Sequence, residues 1–189
     1  DPELRDTYVS LIKTNNELLL RLINDVLDIS KIESGMVAFA YTDVYLPSAM
    51  QDMHSVMQLR MPENVELILD PCPDITFRTD RSRWMQVLSN LLTNAMKHTR
   101  QGSIRFGYKL VGDFLHFYVS DTGEGIPETD LEHIFGRFVQ LKGANNGIGL
   151  GLAICKGLVN RMGGEMSVSS KVGEGSTFRF TLPLANVLS

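Results

Sequence analysis

The residues best suited to chemistry in this chain are Asp121, three polar side chains at helical spacing, and two glycine-rich segments. Asp121-Thr122-Gly123-Glu124-Gly125 follows a run, 114–120, in which Leu115, Phe117 and Val119 alternate as in a half-buried strand. A carboxylate thus stands at a strand end, and the glycines after it let the backbone turn tightly and approach a ligand. Such an Asp can accept a hydrogen bond from an exocyclic amine, for instance that of adenine. Asp-x-Gly-x-Gly is equally ordinary turn material. Upstream, Asn90, Asn94 and Lys97 stand at i, i+4 and i+7, within about 60° of arc on a helix. That stripe also suits a solvated face. Asn is nonetheless a poor helix former, and two in mid-helix cost stability for no local gain. An amide oxygen can ligate a hard cation, and Lys can neutralise phosphate oxygens. Gly147-Ile148-Gly149-Leu150-Gly151 opens a helix that stops at Gly163-Gly164. Exposed N–H groups at such a start can hold phosphates. No Lys-Ser or Lys-Thr follows, so this is not a P-loop. A polar segment precedes it instead of a strand, which argues against a dinucleotide fingerprint.

These groups need a scaffold, and 189 residues suit one substantial domain, with or without an appendage. The composition, 43% hydrophobic and 21% charged, is that of an ordinary globular protein. A net charge of -4 gives no reason to expect nucleic acid or an acidic membrane as partner. Cys72 and Cys155 stand far apart and in no metal spacing with the histidines, as free thiols in a reducing interior would. No apolar run approaches the roughly 20 residues that span a bilayer, and no signal peptide opens the chain. The chain starts without Met, directly in a helix, and reads as a fragment with no membrane contact of its own.

That first helix is expected from Pro2 to about Ser34. Leu4, Tyr8, Leu11, Leu18, Leu22, Val26 and Ile29 form a stripe widened by Leu19 and Ile23. At about 45 Å for about 30 residues it is too long to rest on a small domain. It needs a partner helix, from a second copy or from a segment missing here, and Asn15 within the stripe can set register. Val37, Phe39 and Tyr41 alternate as in a strand. A short helix from Leu46 carries Met50, Met53 and Met57, and strands follow at 65–69 and 75–77. Thr79 or Asp80 caps a helix running to about Thr99, with Trp84, Leu88, Leu91, Leu92 and Ala95 on one side. Two hairpins turn at Gly112-Asp113 and around 173–177. A short helix starts at Pro127, and the polar Gly/Asn-rich stretch between Phe138 and Gly147 reads as a mobile loop.

In this order and spacing, the pieces from Thr79 to Leu182 resemble the ATP-binding domain of sensor histidine kinases, within the GHKL superfamily. Leu88 to Thr99 is similar to that family's N box, and Asp121 to Ile126 to its first glycine box. Phe135-Gly136-Arg137-Phe138 is similar to its F box, Gly147 to Gly151 to the second glycine box, and Gly173 to Phe178 to the last. Residues 16–35 resemble the second helix of the dimerisation domain. The resemblance implies an α+β fold: a two-layer α/β sandwich (the GHKL, or Bergerat, ATP-binding fold), its mixed sheet covered on one face by helices and preceded by one long α-helix. It implies two units, 1–35 from the dimerisation domain with its first helix absent, and 36–189 as the catalytic domain.

Cofactors ATP and Mg2+ follow from the same resemblance. Asp121 would accept the adenine amino group, Asn94 would ligate Mg2+, Asn90 would support that shell, and Lys97 would meet a phosphate oxygen. Gly123, Gly125 and Ile126 of the first glycine box would bind the nucleotide. Gly149 and Gly151 would expose backbone N–H groups to the phosphates, and Gly147 and Leu150 of the same box would bind the nucleotide. Thr177 would lie near adenine, His98 would stack near the nucleotide where relatives carry an aromatic, and Arg137 would reach the γ-phosphate. The implied partners are a response-regulator receiver domain and a second copy in a homodimer. The implied location is cytoplasmic, with any inner-membrane anchor supplied by upstream segments.

Two departures bear on mechanism. GHKL enzymes that hydrolyse ATP carry a Glu base where this chain has Asn90, and an amide cannot take a proton from water at neutral pH. None of His54, His98, His116 or His133 stands in the Ser-His-Glu-like setting of a phosphoacceptor. The chain is therefore expected to bind ATP without phosphorylating itself. A non-catalytic nucleotide-binding scaffold is the alternative, and an independent ATPase is disfavoured by Asn90.

Overall fold

The computed structural model describes residues 2–139 and 149–184. Helix α1 spans Pro2–Glu33, and β1 (Thr42–Tyr45) runs into α2 (Leu46–Gln58). Strands β2 (Val65–Leu69) and β3 (Thr76–Thr79) lead to α3 (Arg81–His98). The hairpin β4 (Gly102–Val111) and β5 (Phe114–Asp121) is followed by the short α4 (Glu128–Leu131). Helix α5 (Gly151–Arg161) then precedes the hairpin β6 (Met166–Lys171) and β7 (Gly175–Pro183). Five strands form one mixed sheet in the order β2-β4-β5-β7-β6, parallel only between β2 and β4. Strands β1 and β3 pair separately and antiparallel.

The period-two alternation of the central strands decides which face is covered. Ile104, Phe106, Leu115, Phe117, Val119, Phe178, Phe180 and Leu182 are all buried, on the side packed by α3 and α5. Phe117 is central to this core. Its ring stacks on Phe180 with centroids 4.8 Å apart and lies within 6.0 Å of the rings of Trp84, Tyr108 and Phe77. The opposite face is polar: Tyr118 and Arg105 both donate to Asp70, at 2.6 and 2.5 Å. The result is the two-layer α+β sandwich that the sequence implies.

Asp80 is the cap of α3, its carboxylate accepting from the Arg83 N–H at 3.0 Å. Met50, Met53 and Met57 on α2 are core residues. One expectation fails: residues 37–41 form no strand, and β1 starts only at Thr42. The alternation there marks an extended but unpaired approach, held where Ala40 N–H donates to the other Asp80 oxygen at 2.9 Å. Most of the apolar stripe on α1, from Leu4 to Leu27, is about half exposed. Only its end docks. Asp28 accepts from Arg83 at 3.1 Å and from Gln86 at 2.8 Å, Ile32 packs close to Gly157, and Arg161 donates to the Gly35 carbonyl at 2.7 Å.

Cys155 is wholly buried in α5, and burial pushes its thiol up to about 12. A thiolate is the nucleophile, so a buried and protonated thiol is inert. Labelling with a disulfide reagent is expected to reach Cys72 alone in the native protein and Cys155 only after unfolding in urea. Two fast equivalents without denaturant would contradict the packing of α5.

Candidate functional site

Asp121 ends β5 on the covered face of the sheet and is 7% exposed. Its Oδ1 accepts from the Gly123 N–H at 2.9 Å, and the Ser176 backbone N–H lies near enough to favour its charge. Burial pushes its carboxyl above the ordinary value; those two N–H groups and the nearby His98 act downward, and Glu124 acts upward. A carboxylate held by one N–H group keeps lone pairs to accept a further donor.

The glycines around it have conformational reasons to be glycine. Gly125 has a φ of +71°, and a Cβ there would lie 2.1 Å from the Lys171 carbonyl oxygen. Gly175 has a φ of +104°, and a Cβ would lie 1.9 Å from the carbonyl oxygen of Asp121 itself. The first glycine turn is thereby pressed between the end of α3 and the β6–β7 hairpin. Ile126 is buried and its N–H donates to Ser170 Oγ at 2.8 Å, so it anchors this turn from below.

Asn90 and Asn94 are half-buried on α3, with Lys97 exposed one turn further on. The start of α5 faces the same region: a Cβ on Gly151 would lie 4.0 Å from the Asn90 amide nitrogen. No side chain caps α5, which leaves its first-turn N–H groups and positive dipole end for an anion. Gly149 takes a φ of +73°, and the Leu150 side chain is in the core, so only its backbone can serve a ligand. Gly147 and most of the loop expected between Phe138 and Gly147 lie outside the described residues.

Three of the residues expected at the nucleotide have partners that the sequence did not point to. Thr177 sits on the polar face, its hydroxyl 2.8 Å from that of Ser120; the pleat puts Ser176 beside Asp121 instead. Counting inward from Phe180 and Phe178 on β7 would have given Ser176. Arg137 forms an ion pair with Glu33 of α1. His98 is bonded through Nδ1 to Glu124 Oε1 at 2.6 Å, a use of the ring that the aromatic analogy missed.

Among the described residues no group of three or more His, Cys, Asp or Glu side chains is placed to hold a metal. A divalent ion here would depend on amide, phosphate and water oxygens, all hard donors of the kind that Mg2+ takes. Asn90, beside the uncapped helix start, and Asn94, one turn further along α3, supply such amides, and they fit.

A family profile described as "Histidine kinase-, DNA gyrase B-, and HSP90-like ATPase" matches residues 79–186. The chain belongs to this family. Among its relatives, the circadian input-output histidine kinase CikA of Synechococcus elongatus is 39% identical over 191 residues, covering 96% of this chain and 25% of CikA. The aerobic respiration control sensor protein ArcB of Escherichia coli is 33% identical over 193 residues, covering 97% of this chain and 25% of ArcB. The chain thus spans about a quarter of the length of these relatives. Full-length ShkA, solved in complex with AMPPNP, superposes with a TM-score of 0.84 at 29% identity, covering 97% of this chain and 39% of ShkA. The nucleotide-free catalytic domain of the histidine kinase ThkA gives 0.69 at 26% identity, covering 78% and 98%. Within this ATPase family the chain's relatives are sensor histidine kinases, and no helix among its described residues is long and apolar enough to cross a membrane.

Proposed function

We propose that residues 36–189 are the ATP-binding catalytic unit of a sensor histidine kinase, and residues 1–35 the second helix of its dimerisation unit. The observation that carries this is Asp121, a buried carboxylate fixed at a strand end beside Gly123 and Gly175, near the end of the helix that bears Asn90, Asn94 and Lys97. Asp121 accepts the adenine amino group, which guanine does not offer at that position. Ser176 completes the wall beside it. Asn94 ligates Mg2+ and Asn90 supports it, while Lys97 and the N–H groups of Gly149 to Gly151 hold phosphate oxygens. When bound, the ion neutralises the phosphates and orients them for transfer.

The γ-phosphoryl passes to a histidine nitrogen outside these residues: the P–O bond to ADP breaks as the P–N bond forms. Relay to a response-regulator aspartate follows in the full-length cytoplasmic or membrane-anchored dimer. Catalysis is positioning and charge neutralisation. Asn90 offers no base for water, so hydrolysis is slow.

The test supplies the chain with Mg2+, ATP and a separate helical hairpin carrying a histidine. Acid-labile phosphate is expected on the hairpin, with little free phosphate in its absence. Replacing Lys97 by Ala should slow transfer about tenfold or more, the worth of a charge-assisted bond. Binding without transfer would leave a scaffold, and rapid turnover without the hairpin would leave an ATPase.

A further inference from the structure

The bond between His98 and Glu124 has no part in the scheme above, yet it joins the two motifs that frame the nucleotide. His98 is the last residue of α3 and Glu124 lies in the turn after Asp121. Their side chains meet at 2.6 Å, and the Glu124 N–H donates to the His98 carbonyl at 3.2 Å. The turn is therefore held to the helix end twice by the same two residues, once through side chains and once through the main chain.

Gly123 lies against that carbonyl: a Cβ there would come within 2.2 Å of the His98 oxygen and 2.8 Å of Asp121 Oδ1. The Gly123 N–H in turn holds Oδ1 at 2.9 Å. A short chain of contacts thus runs from the helix end through Gly123 to the carboxylate. Any slip of the turn along α3 moves the donor that orients Asp121. With its side chain well exposed, the Glu124 pair contributes little to stability; its worth lies in geometry. The pair also sets a basic ring against a second carboxylate, which would otherwise press on Asp121.

We propose that Glu124 is a positioning residue for adenine selection: its bond to His98 clamps the 122–125 turn onto α3, so that Gly123 holds Asp121 in line with the exocyclic amine. This rests on Asp121 being the adenine acceptor proposed above. It gives a role to two residues whose side chains touch no nucleotide atom in that scheme.

The test measures dissociation constants of Mg-ATP and Mg-ITP, the second having a carbonyl in place of the amine, by calorimetry on the whole chain. Glu124→Ala is expected to weaken ATP roughly three- to tenfold and ITP by no more than about twofold, as for coupling between residues in contact. Glu124→Gln keeps the Oε1 acceptor and should restore most of the ATP preference. On an Asp121→Asn background, Glu124→Ala should change ATP binding no further. Equal weakening of both nucleotides by Glu124→Ala would show a merely structural role, and no weakening of either would show none; each overturns the proposal. If Asp121→Asn loses ATP affinity while Glu124→Ala keeps the ATP preference, positioning alone falls. If Asp121→Asn binds ATP as the parent does, the adenine contact falls and takes this proposal with it.

Discussion

Phe117→Ala is expected to lower the free energy of unfolding by about 3–5 kcal/mol, the range for deleting a buried phenyl ring. Phe117 is wholly buried on the middle strand, stacked on Phe180 and tilted against Trp84, Tyr108 and Phe77. Its removal opens a cavity between the sheet and α3, which those rigid rings cannot refill. Phe117→Leu should cost less, because it leaves a smaller void. Urea unfolding followed by Trp84 fluorescence measures both. A loss under about 1 kcal/mol for the alanine variant would mean that the rings relax into the space.

Gly175→Ala is expected to cost about 2–4 kcal/mol of stability, through left-handed strain and steric overlap together. It should also remove at least about tenfold in ATP affinity, the worth of one bond to a charged acceptor. The added methyl would lie 1.9 Å from the Asp121 carbonyl oxygen and 2.9 Å from the Thr122 Cα. Both contacts are backbone, so the strand end that carries the carboxylate must shift. Gly173→Ala is the matched control. Its φ of +80° is also left-handed, but a Cβ there meets nothing within 4 Å. That variant should pay only the conformational strain of about 1–2 kcal/mol and bind ATP as the parent does. Equal loss of ATP binding in the two variants would refute the steric account.

Much of this was legible because it is local. The alternation of 114–120, the hairpin glycines and the uncapped helix start at Gly151 each follow from a few adjacent residues. So did the helix 81–98, whose apolar side faces the core and whose Asn90–Lys97 stripe does not. Contacts between distant segments were less legible. Nothing near Arg137 in sequence points to Glu33, and nothing near His98 points to Glu124. The face that Thr177 takes was hidden for a different reason: a strand turns successive side chains to opposite faces, so one residue of register sets Ser176, not Thr177, beside Asp121. At 37–41 the alternation was real, but the segment joins no strand ladder among the described residues, and its Ala40 N–H goes to the Asp80 side chain instead.

Asp121 carries the functional account, and its environment fixes the sign of a pH effect. Its pKa is raised on folding, chiefly by burial. Between the ordinary carboxylate value and the raised one, the folded chain binds more protons than the unfolded chain. Its contribution to stability therefore falls as pH rises through that window, and at neutral pH the charge is held at a cost. ATP affinity should run the other way, falling on acidification from above the usual carboxylate range as the acceptor is protonated. Asp121→Asn should then be at least as stable as the parent at neutral pH while binding ATP less well.

Calorimetry of Mg2+-dependent ATP binding to the parent and to Asp121→Asn, with melting curves of both, tests that claim most directly. Binding by the parent, a loss of about 1.5–3 kcal/mol in the variant and no fall in melting temperature would match a charged acceptor meeting the adenine amine. Equal binding by the two, or no binding by either, would contradict it.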